Sequence, residues 1–223
     1  MKLLKRRISR VLKEERIDFE ERKIFCIGFN KTGTTSINAT MQNLGYVIGD
    51  QGKGEKLLLG WKNRDFSNII KLAKSAEFFQ DVPFSLPFTY IPLHLAFPKA
   101  KFILTVRNDS EEWYQSVCRF HAKLWSKNEQ PPTVIDLKSA LYGYEGMPYD
   151  FNRWVYHIDD QNPYDKERLI QTYENHNKDV NYYFSNNPNF IQVNVGVNED
   201  YFRMCKFLGI EPKEDGFRWL NKT

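Results

Sequence analysis

KIFCIGFNKTGTTS, residues 23–36, is the stretch that decides the fold. It begins with the short apolar run KIFCIG, which is typical of a buried strand, and glycine and threonine then mark a turn. A helical pattern follows through Ile37, Met41 and Leu44 and ends at Gly45. The stretch therefore predicts a strand, a loop and a helix in immediate succession.

The rest of the chain alternates between strand-like and helix-like patterns. Further strands are predicted at residues 46–49, 77–82, 101–107 and 190–195, and helices at residues 65–75, 88–97, from 110 onward and 199–208. Near-continuous apolar strands separated by helices indicate a parallel sheet that is covered on both faces. We therefore expect an α/β three-layer sandwich, a central parallel sheet flanked by helices, with ligands bound at the carboxyl ends of the strands.

Length and composition are those of an ordinary globular protein. The chain has 223 residues, of which 41% are hydrophobic and 27% charged. It has no run near the roughly 18 to 20 apolar residues that span a bilayer and no signal-peptide pattern, so a cytoplasmic protein is expected. Cys26, Cys118 and Cys205 are far apart, which predicts reduced structural thiols. No histidine pair has metal-ligand spacing, so no metal site is predicted.

Residues 1–20 are predicted to form a basic amphipathic helix that precedes a single domain at residues 21–223. Lysines and arginines surround Leu4, Ile8, Val11 and Leu12, which recur at helical spacing. Such a helix can rest on an anionic membrane surface or pack its apolar stripe on the domain. The net charge of +4 suits an anionic ligand and gives no indication of nucleic acid.

The loop between the first strand and helix has the composition of an anion site. A glycine-rich turn before a helix points backbone N–H groups and the positive end of the helix dipole at one spot. Lys31 adds a full charge, and the neighbouring hydroxyl groups add donors. The alternative is a purely structural turn. The candidate binding residues are Asn30, Lys31, Thr32, Gly33, Thr34, Thr35 and Ser36.

The position of the lysine separates two phosphate chemistries. A nucleoside triphosphatase loop reads G-x-x-x-x-G-K-S/T, with a hydroxyl after the lysine to hold magnesium. Gly28 and Gly33 have that separation, but Thr34 occupies the lysine position and Lys31 lies inside the loop. The order K-T-G-T-T-S instead resembles the loop of sulfotransferases that use 3'-phosphoadenosine 5'-phosphosulfate (PAPS). The resemblance, closest to a divergent bacterial-type branch, implies a P-loop-like fold and sulfuryl transfer from PAPS without a metal.

Two further motifs resemble that family. The strand ending in Arg107 is followed by Ser116, one residue further on than is usual, and the family binds the 3'-phosphate of PAPS with such a pair. In the segment QDVP, Asp81 stands where the family carries its base, a histidine or a carboxylate. The resemblance thus implies that Lys31 and Asp81 are catalytic and that Arg107 and Ser116 bind PAPS. A turn-forming aspartate at position 81 is the alternative, with His121 or His157 as the base.

The acceptor stays open between a small molecule, a glycan and a lipid. Residues 120–164, rich in Trp, Tyr, Pro and Gly, are interpreted as an inserted region that shapes the acceptor pocket, or as plain surface loops. Two other functions also stay open. One is an ATP- and magnesium-dependent P-loop kinase, and the other is a nucleotide-binding module without turnover. The oligomeric state is not predicted.

Overall fold

The computed structural model describes residue 19 and residues 21–218. The basic helix predicted for residues 1–20 therefore lies outside the described residues, apart from residue 19. In chain order the elements are β1 (Ile24–Cys26), α1 (Thr34–Asn43), α2 (Gln51–Glu55), α3 (Leu58–Lys62), α4 (Ser67–Ala73), β2 (Phe78–Phe79), α5 (Tyr90–Ala96), β3 (Lys101–Thr105), α6 (Ser110–Trp125), α7 (Val134–Ser139), β4 (Leu141–Tyr142), β5 (Tyr144–Glu145), α8 (Met147–Val155), α9 (Lys166–Tyr183), β6 (Phe190–Val193) and α10 (Asn198–Leu208).

Four parallel strands form the central sheet, in the spatial order β2, β1, β3, β6. Phe25 of β1 pairs with Phe79 on one side and with Phe102 on the other. A separate antiparallel pair, β4 and β5, lies in the region of residues 120–164. The predicted α/β architecture with a central parallel sheet is confirmed.

Helices cover both faces of the sheet, which makes three layers. Side chains alternate between the faces along each strand, as a period of two requires. Phe25 and Phe102 belong to one buried cluster, which packs against α4, α5, α6 and α9. Cys26 and Ile103 belong to the other, which packs against α1 and α10. All three cysteines are buried and free of disulfides.

Several predicted boundaries are wrong by a few residues. The strand predicted at 77–82 is limited to β2, and the one predicted at 46–49 is a single bridge from Ile48 to Phe78. Helix α6 begins at Ser110, as predicted, and Asp109 caps it, since its carboxylate accepts the Glu112 N–H at 2.7 Å. None of the bounded helix ranges that were predicted covers α2, α3, α7, α8 or α9.

The carboxyl ends of the sheet strands bring four distant residues to one edge. Each of these residues lies two positions beyond the end of its strand. They are Gly28 after β1, Asp81 after β2, Arg107 after β3 and Val195 after β6. Parallel strands place such residues at a common edge, where α/β proteins bind their ligands. The edge therefore joins the glycine-rich loop, a carboxylate and a guanidinium.

The loop passes so close to β3 that only glycine fits at position 28. A Cβ atom there would lie 2.2 Å from Thr105 Oγ1 and 2.3 Å from the Thr105 carbonyl oxygen. The obstacle includes backbone of a central strand, so it has little freedom to move.

We expect Gly28→Ala to lower the free energy of unfolding by about 1–3 kcal/mol, because the added methyl group must displace β3. Gly52→Ala is the matched control, since a Cβ atom there meets nothing nearer than 3.6 Å and alanine favours a helix. Urea unfolding followed by tryptophan fluorescence measures both changes. Wild-type stability of Gly28→Ala would contradict the close approach.

Candidate active site

A cleft of about 890 Å³, part of it open to solvent, lies at this edge of the sheet. The structure brings most of the predicted site residues together there. The predicted residues that line the cleft are Asn30, Lys31, Gly33, Thr34, Thr35, Asp81 and Arg107. Thr32, Ser36 and Ser116 do not line it.

The start of α1 forms the floor of the cleft. Gly33 precedes the helix in the left-handed conformation, with φ 96°, and Val195 fills the space beneath it. Among the described residues no side chain caps α1, and its first turn carries no acidic residue. The first N–H groups of a helix lack partners within the helix, so this end can bind an anion.

Lys31 brings a positive charge to the floor of the cleft. Its Nζ atom lies 3.7 Å from the centre of the Phe120 ring, a cation–π contact. Burial, and then the nearby charge of Arg107, lower the pKa of Lys31 to about 8, whereas Asp81 opposes the shift. The ammonium group is therefore charged at neutral pH but easier to deprotonate than an ordinary lysine.

Thr32 holds the loop from beneath. Its hydroxyl donates to the Phe29 carbonyl oxygen, which leaves the Thr105 hydroxyl as the donor in the 2.6 Å contact between the two threonines. On the far side of the loop, Trp113 Nε1 donates to the Asn30 carbonyl oxygen at 3.0 Å. With its hydroxyl engaged and its side chain buried, Thr32 shapes the loop in this structure, and direct binding of an anion by Thr32 stays a prediction.

Arg107 ties the end of β3 to the loop. Its Nε atom donates to the Lys31 carbonyl oxygen at 2.7 Å, and Nη1 donates to Glu112 Oε1 at 3.2 Å. A guanidinium has five N–H donors, so others are left for a ligand. Arg107 is therefore both a brace for the loop and a candidate anion-binding group.

The two predicted serines lie behind the cleft. Ser36 is buried in α1, and Ser116 is buried in α6. Within the described chain, Ser116 Oγ and Asn30 Oδ1 have no hydrogen-bond partner. Buried polar atoms usually have one, so both are noteworthy beside an anion site. The binding roles of Ser36 and Ser116 stay predictions.

Asp81 lies two residues beyond the end of β2, and β1 separates β2 from β3, the strand that precedes Arg107. Its Oδ1 accepts the Val82 N–H at 2.9 Å. Burial raises the pKa of Asp81 to about 6, the Val82 bond opposes the shift and the charge of Glu55 adds to it. A carboxylate with a pKa near neutrality suits a general base.

Glu55 is a second carboxylate that sequence reasoning missed. It lies on α2, and burial raises its pKa too. Gln51 Nε2 donates to its Oε1 at 3.5 Å, and Tyr142 also hydrogen-bonds to it. The aspartate cap on α2, in which Asp50 accepts the Lys53 N–H at 3.0 Å, is the sequence signal that could have found this helix.

Residues 120–164 supply the remaining wall of the cleft. The wall is largely apolar, and its polar members are His121 and Asn152. The apolar side chains on this wall are Phe120, Trp125, Met147, Pro148 and Phe151, with Tyr142 beside them. The region interpreted from the sequence as lying over the site thus borders it.

The other groups weighed from the sequence lie elsewhere or have structural partners. His157 does not line the cleft, and its carbonyl oxygen accepts from Arg168. His176 is buried with Nε2 2.8 Å from the Ile27 carbonyl oxygen, so it supports β1. In the part of the chain that the structure describes, no cluster of three or more His, Cys, Asp or Glu could hold a metal, and no helix is long and apolar enough to cross a bilayer.

Comparison with known proteins identifies the family of the domain that carries this cleft. A search of curated proteins gave no significant match. The family model described as a sulfotransferase domain matches residues 23–223, which include β1, the loop, Asp81, Arg107 and the apolar wall of the cleft. Because the match takes in most of the chain, this protein belongs to the sulfotransferase domain family.

Proposed function

We propose that the chain transfers a sulfuryl group from PAPS to a hydroxyl or amine of an acceptor. Membership of the family supports sulfotransfer in general. The observation that carries the finer proposal is the convergence of Lys31, the amino end of α1, Arg107 and Asp81 on one cleft. Two cationic side chains and a helix end suit a donor with two anionic groups, and a carboxylate suits an acceptor that must lose a proton.

The residues present fit PAPS as the donor. Glycine at positions 28 and 33 lets the loop form a cradle that a Cβ atom would obstruct. Lys31 and the N–H groups of α1 would hold the 5'-phosphosulfate. The donors of Arg107 that are left over, with the Ser116 hydroxyl, would hold the 3'-phosphate and so favour PAPS over ATP.

The reaction moves one group between two oxygens, or from oxygen to nitrogen. The bond between sulfur and the 5'-phosphate oxygen breaks, and a bond between sulfur and the acceptor atom forms. Asp81 accepts the proton that the acceptor loses. Lys31 neutralises the charge that grows on the departing phosphate, and adenosine 3',5'-bisphosphate leaves.

A cytoplasmic location, and contact of residues 1–20 with a membrane surface as a predicted basic helix, belong to the same proposal. They follow from the sequence pattern of residues 1–20 and from the lack of a long apolar run.

Ligand-induced stabilisation distinguishes the donor from ATP. We expect adenosine 3',5'-bisphosphate to raise the melting temperature more than ADP, because only the former carries the 3'-phosphate. A ligand at 100 times its Kd stabilises by about 2.7 kcal/mol. Arg107→Met should remove the preference for the bisphosphate. Stabilisation by ATP with magnesium alone would favour the kinase and overturn the proposal.

Lys31→Met should lower the rate of sulfuryl transfer by about 10²–10³, since it removes one group that stabilises the leaving phosphate. Methionine keeps an apolar stem on the Phe120 ring, so the melting temperature of the free protein should change little. Lys74→Met, at an exposed position, is the control. Single-turnover transfer of sulfur-35 from labelled PAPS measures the effect. Near-normal transfer by Lys31→Met would remove Lys31 from the mechanism.

The dependence of kcat/KM on pH should be bell-shaped, because this ratio reports the free enzyme. Asp81 must be deprotonated and has its pKa raised to about 6, so activity should fall below that pH. Lys31 must be protonated and has its pKa lowered to about 8, so activity should fall above that pH. Asp81→Asn should bind adenosine 3',5'-bisphosphate normally yet transfer slowly. A fully active Asp81→Asn variant would place the base elsewhere.

A further inference from the structure

The wall of the cleft opposite the loop has the character of a pocket for a flat apolar molecule. Phe120, Trp125, Met147 and Phe151 line the cleft, and the Phe120 ring centre lies 3.7 Å from Lys31 Nζ. The rings of Trp125 and Tyr142 meet edge to face, with centroids 5.7 Å apart. Pockets of this kind bind through apolar contact and use a few placed polar groups to fix orientation.

His121 is one of those polar groups, and its hydrogen bonds determine its tautomer. Its Nδ1 atom lies 2.9 Å from the Tyr164 hydroxyl. Tyr164 is buried, and a buried hydroxyl needs an acceptor for its proton, which His121 Nδ1 provides at this distance. The Tyr164 proton is then directed at His121 Nδ1. A neutral imidazole with an accepting Nδ1 carries its proton on Nε2.

The Nε2 atom of His121 is available to a ligand in the cleft. His121 lines the cleft, and its Nε2 makes no hydrogen bond to the residues described here. Burial, and then the charge of Lys31, lower the pKa of His121 to about 3. The ring is therefore neutral at working pH, and it offers an N–H donor to a ligand and not a base.

The course of α6 assigns His121 to the acceptor side. The helix starts beside Arg107, passes Lys31 at Phe120 and ends at Trp125. At 1.5 Å per residue, His121 lies about 16 Å along the helix from Ser110. His121 therefore lies further along α6 from Arg107 than Ser116 does, by five residues or about 7.5 Å.

We infer that the acceptor is a flat, largely apolar alcohol, which lies against these aromatic side chains and accepts a hydrogen bond from His121 Nε2. This inference rests on the proposed function. Asp81 takes the proton of the acceptor hydroxyl, and His121 donates to an oxygen of the same molecule. Tyr164 is a positioning residue that acts through His121. A glycan, with a hydroxyl on nearly every carbon, would leave most of its polar groups unpaired against this wall.

The acceptor class is tested with sulfur-35-labelled PAPS and four probes. They are 2-naphthol, 4-nitrophenol, N-acetylglucosamine and lactose. The two phenols should be sulfated with a kcat/KM at least about tenfold above the sugars. Calorimetric titration of 2-naphthol into the enzyme saturated with adenosine 3',5'-bisphosphate gives a readout that needs no turnover.

The role of His121 is tested by variants that separate its donor from its shape. His121→Phe keeps a ring but removes the N–H, so KM for 2-naphthol should rise about tenfold, the cost of one hydrogen bond. His121→Gln keeps an amide donor and should recover part of the loss, and Tyr164→Phe should lie between. His94→Phe is the matched control, since His94 pairs with Tyr183 at 3.0 Å outside the cleft. That variant should match the wild type.

The results separate this inference from the function on which it rests. If adenosine 3',5'-bisphosphate does not stabilise the protein, both are overturned. If it does, but the sugars are sulfated better or 2-naphthol is neither bound nor sulfated, only the acceptor class is wrong. If His121→Phe weakens binding of the bisphosphate and leaves KM for 2-naphthol unchanged, His121 serves the donor and the inference is overturned.

Discussion

The backbone of the glycine-rich loop rests on the end of β3, and the arrangement of charges in the cleft depends on that contact. Gly28 permits it, and the hydroxyl of Thr105 bonds to Thr32 in the same place. Arg107, two residues beyond the end of β3, donates a hydrogen bond to the carbonyl oxygen of Lys31. One strand therefore sets the loop, the lysine and the arginine relative to one another, before any ligand binds.

This rigidity has an electrostatic cost. Lys31 and Arg107 are held close enough that the arginine helps lower the pKa of the lysine. Asp81, which is half-buried in the cleft, lies near Glu55, and both carboxyl groups have raised pKa values. Like charges held together favour a ligand that separates or neutralises them. An anion on the loop side and a transferable proton on the carboxylate side would relieve both.

The sequence was sufficient to predict the main architecture, and most of the residues that it suggested for the site line one cleft. The apolar runs at β1 and β3 indicated a parallel sheet because they are buried on both faces, and the loop motif placed Lys31 at its edge. Glu55 escaped prediction because Gly52 and Gly54 are poor helix formers, so α2 depends on its Asp50 cap and on packing. The hydrogen-bonded group of Asn152, Tyr164 and His121 joins α8, the segment after it and α6. Because these residues are distant in the chain, no local sequence pattern predicts their contact.

The contact beneath Gly33 affects how the protein acquires its site. The space under the loop is filled by Val195, which follows the edge strand β6. Contacts between such distant parts of a chain form late, because the intervening loop must first be closed at an entropic cost. During synthesis, the loop and its contacts with β3 emerge before residue 195, which fills the space beneath Gly33. The support beneath Gly33 is therefore complete only after nearly the whole domain has been synthesised.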